Sequence, residues 1–384
     1  MRIGRLGVCA LVAAGGLFGC RAIPLADDPM TTMPTRMAPE VFRVEWWESL
    51  VGQVKLLEHA PREVAAPAFD PERDLVYTVT RDGIARALGP GGELRWERET
   101  GAYVSAGPGV SRLAVYLPGG DGKLTALDPE SGALKWTYAS GEELATAPIE
   151  HDGVVLVASH SNTLFAVDAA TGAWKWQYRR EIPTGFTIRG VSSPVVRDGV
   201  AYLGFSDGAL VALRLQDGIA LWERQLSTSA GPFIDVDTTP VFDDAGHLFA
   251  ASVKDGVSSV DPKNGTVLWT RQIPGVSSLV VQGEVLFATG SGQVAAMMAA
   301  DGEALWSLPI GDDAAGQPVL AGGYLVAPTV RGLLFVDPAL GRTVLRWDPG
   351  QGVSTSVAKG KAGMVYVLSN LGFIYALELI GSQG

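Results

Sequence analysis

The chain has 384 residues, of which 47% are hydrophobic, with 48 Gly and a formal net charge of −11. That apolar fraction argues against disorder and, with so many glycines, points to many short buried strands joined by tight turns. The negative charge argues against nucleic acid as a partner and against electrostatic docking on anionic lipid.

Arg2 and Arg5 precede an apolar run from Leu6 to Phe18. The run is too short to span a bilayer and reads as a cleaved export signal, residues 1–19. It ends in Leu17-Phe18-Gly19-Cys20, which resembles a bacterial lipobox, where the Cys becomes the lipid-modified N-terminus; Phe18 departs from the small residue usual there. The competing reading is ordinary cleavage at a small residue, with Cys20 of no consequence. Cys9 lies inside the signal, so Cys20 would be the single thiol of the mature chain, and no intrachain disulfide could form. Residues 20–40, rich in Pro, Met, Thr and Ala without an apolar period, read as the lipidated Cys and an extended tether. Residues 41–384 are then one folded body.

That body opens with a strand-like stretch, Val41 to Val51, carrying Trp46 and Trp47. A repeat follows, in which a small-apolar-Asp run leads into a turn ending in Gly, and Trp comes four residues later. It reads TALDPESGALKW at Trp136, FAVDAATGAWKW at Trp176, VALRLQDGIALW at Trp222, SSVDPKNGTVLW at Trp269 and AAMMAADGEALW at Trp306. Degenerate copies flank these at Trp96 and Trp347, and successive Trp are 40, 40, 46, 47, 37 and 41 residues apart. This is the period of a four-stranded propeller blade. The last repeat body, Val353 to Leu379, offers three strands and stops where the Gly and Trp strand should begin. The expected fold is therefore all-β: an eight-bladed propeller of four-stranded antiparallel blades, the last closed by the N-terminal strand, which leaves no free edge between first and last blades.

Turn chemistry supports this within each repeat. Asp152-Gly153, Ser161-Asn162, Asp198-Gly199, Asp207-Gly208 and Asp255-Gly256 are hairpin turns, and Gly132, Gly172, Gly218, Gly265 and Gly302 fall where positive φ is needed. Asp128, Asp168, Asp261 and Asp337 are suited to bond the backbone of their own turns. Pro67, Pro108, Pro148, Pro194, Pro240 and Pro318 mark strand entries, where a missing N–H is harmless.

The repeat resembles that of propellers binding pyrroloquinoline quinone, which raises a quinone-dependent oxidoreductase as one reading. A cofactor needs one stacking Trp, whereas a Trp in every blade is what a structural staple between blades predicts. His59, His151, His160 and His247 are scattered without ligand spacing, and Asp27-Asp28, Asp243-Asp244 and Asp312-Asp313 read as solvated pairs. No nucleophile elbow, phosphate loop or zinc pattern occurs. No catalytic residue, cofactor site or metal site is expected.

Two stretches depart from the repeat, QYRREIPTGFTIRGVSSP at 177–194 and ERQLSTSAGPFIDVDTTP at 223–240. They account for the two long Trp intervals, and insertions in adjacent blades share a face. Each sets apolar side chains beside charge, Phe186 and Ile188 with Arg189 in the first, Phe233 and Ile234 with Asp235 and Asp237 in the second. That mixture suits a protein-binding patch.

With Ile188-Arg189-Gly190, Ser192, Pro194 and the run Asp235-Val236-Asp237-Thr238-Thr239-Pro240, the chain resembles the BamB family, propeller lipoproteins of the outer-membrane β-barrel assembly machinery. The resemblance extends from Cys20 over essentially the whole chain, and Phe186 and Ile188 stand where Leu is usual. It implies a non-catalytic subunit, lipid-anchored to the outer membrane and facing the periplasm, monomeric within its complex. It also implies that Phe186, Ile188, Arg189, Asp235 and Asp237 bind a periplasmic POTRA domain of a BamA-like partner, and that unfolded outer-membrane proteins are possible clients. Arg189 could equally pair with Asp235 or Asp237 to tie two blades together. Beyond the oxidoreductase, a generic exported ligand-binding propeller is the other alternative.

Overall fold

The computed structural model describes residues 41–52, 62–101, 103–182, 192–227, 234–311 and 316–381. The proposed signal, Cys20 and the tether lie outside the described residues. Among those described, 32 strands form eight four-stranded antiparallel sheets. Blade 1 runs outward through Ala68–Asp70, Leu75–Val79, Ile84–Leu88 and Leu94–Glu99, and blades 2 to 7 repeat that order along the chain. Blade 8 is composite, as expected: Ala358–Lys359, Met364–Leu368 and Phe373–Leu379 are completed by Phe42–Ser49, paired from Phe42 opposite Leu379 to Ser49 opposite Phe373 with a bulge between Val44 and Trp46. The six prolines named above each immediately precede an innermost strand.

The apolar residues do not gather into one core. They form eight clusters, one in each gap between successive blades, and Val76 and Leu88 of blade 1 packing with Tyr366 and Ile374 of blade 8 close the ring. This is why the second and third strands read as unbroken apolar runs such as Val154–Ala158: both faces are covered by neighbouring sheets.

Tryptophan and glycine of the repeat meet between blades, not within one. The indole Nε1 of Trp96 donates to the carbonyl of Pro129 in the outer turn of blade 2, at 2.8 Å. Trp136, Trp176, Trp222, Trp269 and Trp306 do the same to Ala169, Leu215, Pro262, Ala299 and Pro338 of the next blade, at 2.8–3.1 Å. The glycine of each receiving turn lies under the incoming ring. A Cβ on Gly132, Gly172, Gly218, Gly265, Gly302 or Gly341 would stand 2.3–2.8 Å from indole atoms, and their φ angles are +63° to +73°. Opposite each of these Trp on the third strand is Ala or Ser (Ala87, Ala126, Ala166, Ala212, Ser259, Ala296), which leaves room for the ring.

The tryptophans of the two ends differ in outcome. Trp46, on the N-terminal strand expected to complete the last blade, is the seventh lock: it pairs with Ala376, lies over Gly92 and donates to Pro90 at 2.7 Å. Trp347, counted as a repeat tryptophan, is not one. The position after the outer-strand bulge of blade 7 is Leu345, paired with Phe335, and Trp347 lies two residues further on. The reason is the seam. The third and outer strands of blade 8, Phe373–Leu379 and Phe42–Ser49, are the last and first strands in sequence, so no hairpin joins Leu379 to Phe42 and no turn stands there to receive an indole. Trp347 fills this gap differently, packed against Phe42 and Tyr375 at ring distances of 5.0 and 5.1 Å.

The lock can be tested against a control. Gly218 and Gly199 share positive φ (+71° and +72°), but a Cβ on Gly218 would lie 2.5 Å from Trp176 whereas Gly199 faces open space. Gly199→Ala should cost about 1 kcal/mol for its backbone. Gly218→Ala should cost at least about 2 kcal/mol more, because the indole must also move. Thermal midpoints read the difference, and equal losses would show that the ring is not seated on the glycine.

Candidate functional site

The residue after an outer strand donates its backbone N–H to the hairpin between second and third strands of its own blade: Thr100 to Gly83, Ser140 to Gly122, Arg180 to Asn162, Leu226 to Gly208 and Ile310 to Gly292. From this root the chain crosses to the innermost strand of the next blade. Outer strands Trp174–Arg179 and Ala220–Gln225 run further than expected, so the two long connectors are 180–194 and 226–240, not 177–194 and 223–240. Residues 183–191 and 228–233 lie outside the described residues, and with them Phe186, Ile188 and Arg189. A third long connector, 50–67, joins blade 8 to blade 1 on the other side of the ring and was not singled out from the sequence.

Both connectors are rooted on one hairpin, Phe205-Ser206-Asp207-Gly208 of blade 4. The second is held by backbone: Leu226 donates to Gly208 at 2.9 Å and Val236 to Phe205 at 3.1 Å, while the Gln225 side chain donates to the Asp207 carbonyl at 2.6 Å. The first is held by a side chain, Arg180, whose Nε donates to Asp207 at 2.6 Å and Nη1 to Glu223 at 2.5 Å. Asn162, in blade 3, adds a 2.6 Å bond to Ser206 and one to the carbonyl of Glu181. Exposed Ile182 and the side chains of Arg179, Arg180, Glu181 and Ser161 line a shallow depression beside this root.

The run from Asp235 to Pro240 is laced into blades 4 and 5. Val253 donates to the Asp235 carbonyl at 3.0 Å, and Thr238 Oγ1 accepts from Ala251 at 2.9 Å. Gly204 lies so close to Val236 that a Cβ would sit 2.1 Å from its carbonyl. This lacing fixes where the two carboxylates stand. Asp235 is fully buried, whereas Asp237 is half-buried and its Oδ1 has no hydrogen-bond partner among the described residues. Burial, reinforced by the nearby Asp235 charge, pushes the Asp237 carboxyl up to about 6.

Other candidates stay apart. His247 Nδ1 is 2.7 Å from Asp243, His151 stands beside Asp152, and among the described residues no three His, Cys, Asp or Glu gather as a metal site. The seven lock indoles each lie on a glycine turn of the next blade, away from the innermost strands that line the ring's centre. A planar quinone would have to stack elsewhere.

Residues 81–308 match the family model described as outer membrane protein assembly factor BamB. The chain belongs to the BamB family. A BamB assembly factor of Yersinia pestis is 26% identical over 198 residues, an alignment spanning 50% of each chain. The chain thus spans about half the length of this curated BamB relative. The crystal structure of BamB from Moraxella catarrhalis superposes with a TM-score of 0.77 at 22% identity, covering 88% of this chain and all of that one. A europium-containing methanol dehydrogenase superposes at 0.72 with 12% identity, covering 88% and 93%. At such identities the two superpositions show the eight-bladed fold alone.

Asp237 yields a pH prediction. Its folded pKa is raised, so ionising it costs the folded state: stability from this group is full below about pH 4, falls as pH rises to about 6 and stays low above. Asp237→Asn removes the penalty. The variant should be more stable than the parent at pH 7.5, by on the order of 2–3 kcal/mol at most, and equal to it near pH 4. Melting curves at the two pH values decide, and a variant that is destabilised at pH 7.5 would show the carboxylate to be held by a favourable partner.

Proposed function

We propose that this BamB-family chain is a non-catalytic scaffold of the outer-membrane β-barrel assembly machinery, anchored through lipid on Cys20 and facing the periplasm. It binds a POTRA domain of a BamA-like partner through the two long connectors. The observation that carries this reading is their common root: a single hairpin of blade 4 holds both, so the stretch containing Phe186, Ile188 and Arg189 starts beside the one containing Asp235 and Asp237. The name shared by the relatives, outer membrane protein assembly factor, supports the process and the membrane.

Burial divides the proposed residues into two roles. Asp235 is fully enclosed and acts within the chain, its carbonyl holding the second connector to Val253 of blade 5. Asp237 is only half-buried, and its carboxylate is desolvated with one oxygen that has no hydrogen-bond partner among the described residues. A fold that tolerates such a cost holds the group for something beyond its own stability. A partner cation would repay it, and Phe186 and Ile188 would supply the apolar contact around the pair.

Arg189→Ala, and separately Asp237→Ala, should lose the POTRA partner in a pull-down from solubilised envelope, while the thermal midpoint falls little in the first and does not fall in the second. Truncating a charged group at the centre of an interface typically costs about 2 kcal/mol or more, roughly a thirtyfold loss of affinity. A destabilised variant that still captures the partner would make these residues structural. Cys20→Ala should move a folded protein into the soluble periplasmic fraction, since each buried acyl CH₂ contributes about 0.8 kcal/mol to membrane retention. Unchanged membrane association would refute the anchor at Cys20.

A further inference from the structure

At the roots of the connectors that leave blades 1 and 2 the side chain stays at home. Thr100 and Ser140 each turn their hydroxyl back on the same glycine carbonyl that takes their N–H, Gly83 and Gly122. Arg180 occupies that position in blade 3 and crosses to blade 4. Its guanidinium is four-fifths covered and makes two charge-assisted bonds, to Asp207 on the hairpin and Glu223 on the outer strand, and a third to the Tyr178 hydroxyl at 3.1 Å. Tyr178 in turn donates to the other oxygen of Glu223 at 2.6 Å, and the guanidinium carbon lies 5.9 Å over the Phe205 ring. Both acceptors belong to the segments that launch the second connector: Asp207 precedes Gly208, the acceptor for Leu226, and Glu223 lies in the strand ending at Gln225. Phe205, under the guanidinium, is the acceptor for Val236, between Asp235 and Asp237.

Resting on the partner reading above, we propose that Arg180 is a positioning residue for the partner surface: it clamps the start of the first connector to the hairpin that holds the second, and so sets where the first connector leaves blade 3 relative to Asp237. Lys at this position would keep the charge without the fork that reaches two carboxylates at once. Burial opposes the charge, but the bonds to Glu223 and Asp207 outweigh it and the guanidinium pKa stands above its usual value, so the clamp holds at every physiological pH. A surface assembled before the partner arrives does not have to be ordered on binding.

The test uses the full chain with Arg180→Gln, Arg180→Lys and, should the first fail to fold, Glu223→Gln. Two readings are taken: amide hydrogen exchange, and affinity for an isolated POTRA fragment of the BamA-like partner. In Arg180→Gln, exchange at Val236 and Leu226 should accelerate about tenfold while blade 7 amides such as Val326 are unchanged, and affinity should fall about tenfold, with partial recovery in Arg180→Lys. A lower thermal midpoint with unaltered exchange at Val236, or with unaltered affinity, would overturn the positioning role and leave an ordinary tie between blades. If the parent chain ignores the POTRA fragment, the partner reading falls by itself. Exchange at Val236 then decides the clamp: acceleration upholds it, and no change overturns it.

Discussion

The structure depends on an indole set across a glycine turn of the neighbouring sheet. Each lock joins a hydrogen bond, a buried aromatic face and a backbone conformation that favours glycine, and it acts between blades that share no main-chain ladder. Without it, adjacent blades would be held mainly by apolar contact, which fixes distance better than register. The hydrogen bond to one particular carbonyl sets the register. Seven repetitions carry it around the ring, and small residues opposite the tryptophans make room for it.

The eighth joint shows what happens when the receiving turn is missing. Blades 7 and 8 meet through Phe42, Phe335, Trp347 and Tyr375, an aromatic cluster in place of an indole on glycine, with Leu345 and Phe335 replacing the Trp and the Ala or Ser of the other joints. Ring closure thus rests on the pairing of the eight-residue strand Phe42–Ser49 with Phe373–Leu379 and on Trp46, which locks the composite blade onto blade 1. A closed ring gives the connectors rigid footings. Blades 3, 4 and 5 cannot shift without disturbing the locks of Trp136, Trp176, Trp222 and Trp269, so the hairpin at 205–208 is a firm platform for the segments rooted on it.

Much of this was legible in the sequence because it repeats. The period, the Asp-Gly and Asn turns, the prolines before innermost strands and the split blade follow from residues whose backbone preferences are local. What local reasoning missed is relational. Glycine and tryptophan stand four residues apart in the sequence, yet each glycine serves the tryptophan of the preceding blade, so Trp46 had no visible partner and Trp347 seemed to have one. The candidate site was legible in part. The long Trp intervals located the connectors, but their roots were misplaced by three residues because Gln177–Arg179 and Glu223–Gln225 continue strands. Arg180 gave no signal, since an arginine next to Arg179 reads as solvated charge until Asp207 and Glu223 are brought to it. The burial of Asp235 was equally invisible, because Asp alternating with Val looks the same in a loop as in a laced segment.

The claim that the paired connectors are the working surface is tested most directly by site-specific photo-crosslinking in the assembled envelope. A photoreactive residue would replace Ile188 or Asp237 on the connectors, Trp174 on the exposed outer rim, or Leu113 in the turn between the first two strands of blade 2. Crosslinks to the POTRA domains from positions 188 and 237, with none from 174 or 113, are the predicted result. Crosslinks arising only from the rim or the blade 2 turn would place the partner on another surface and contradict it.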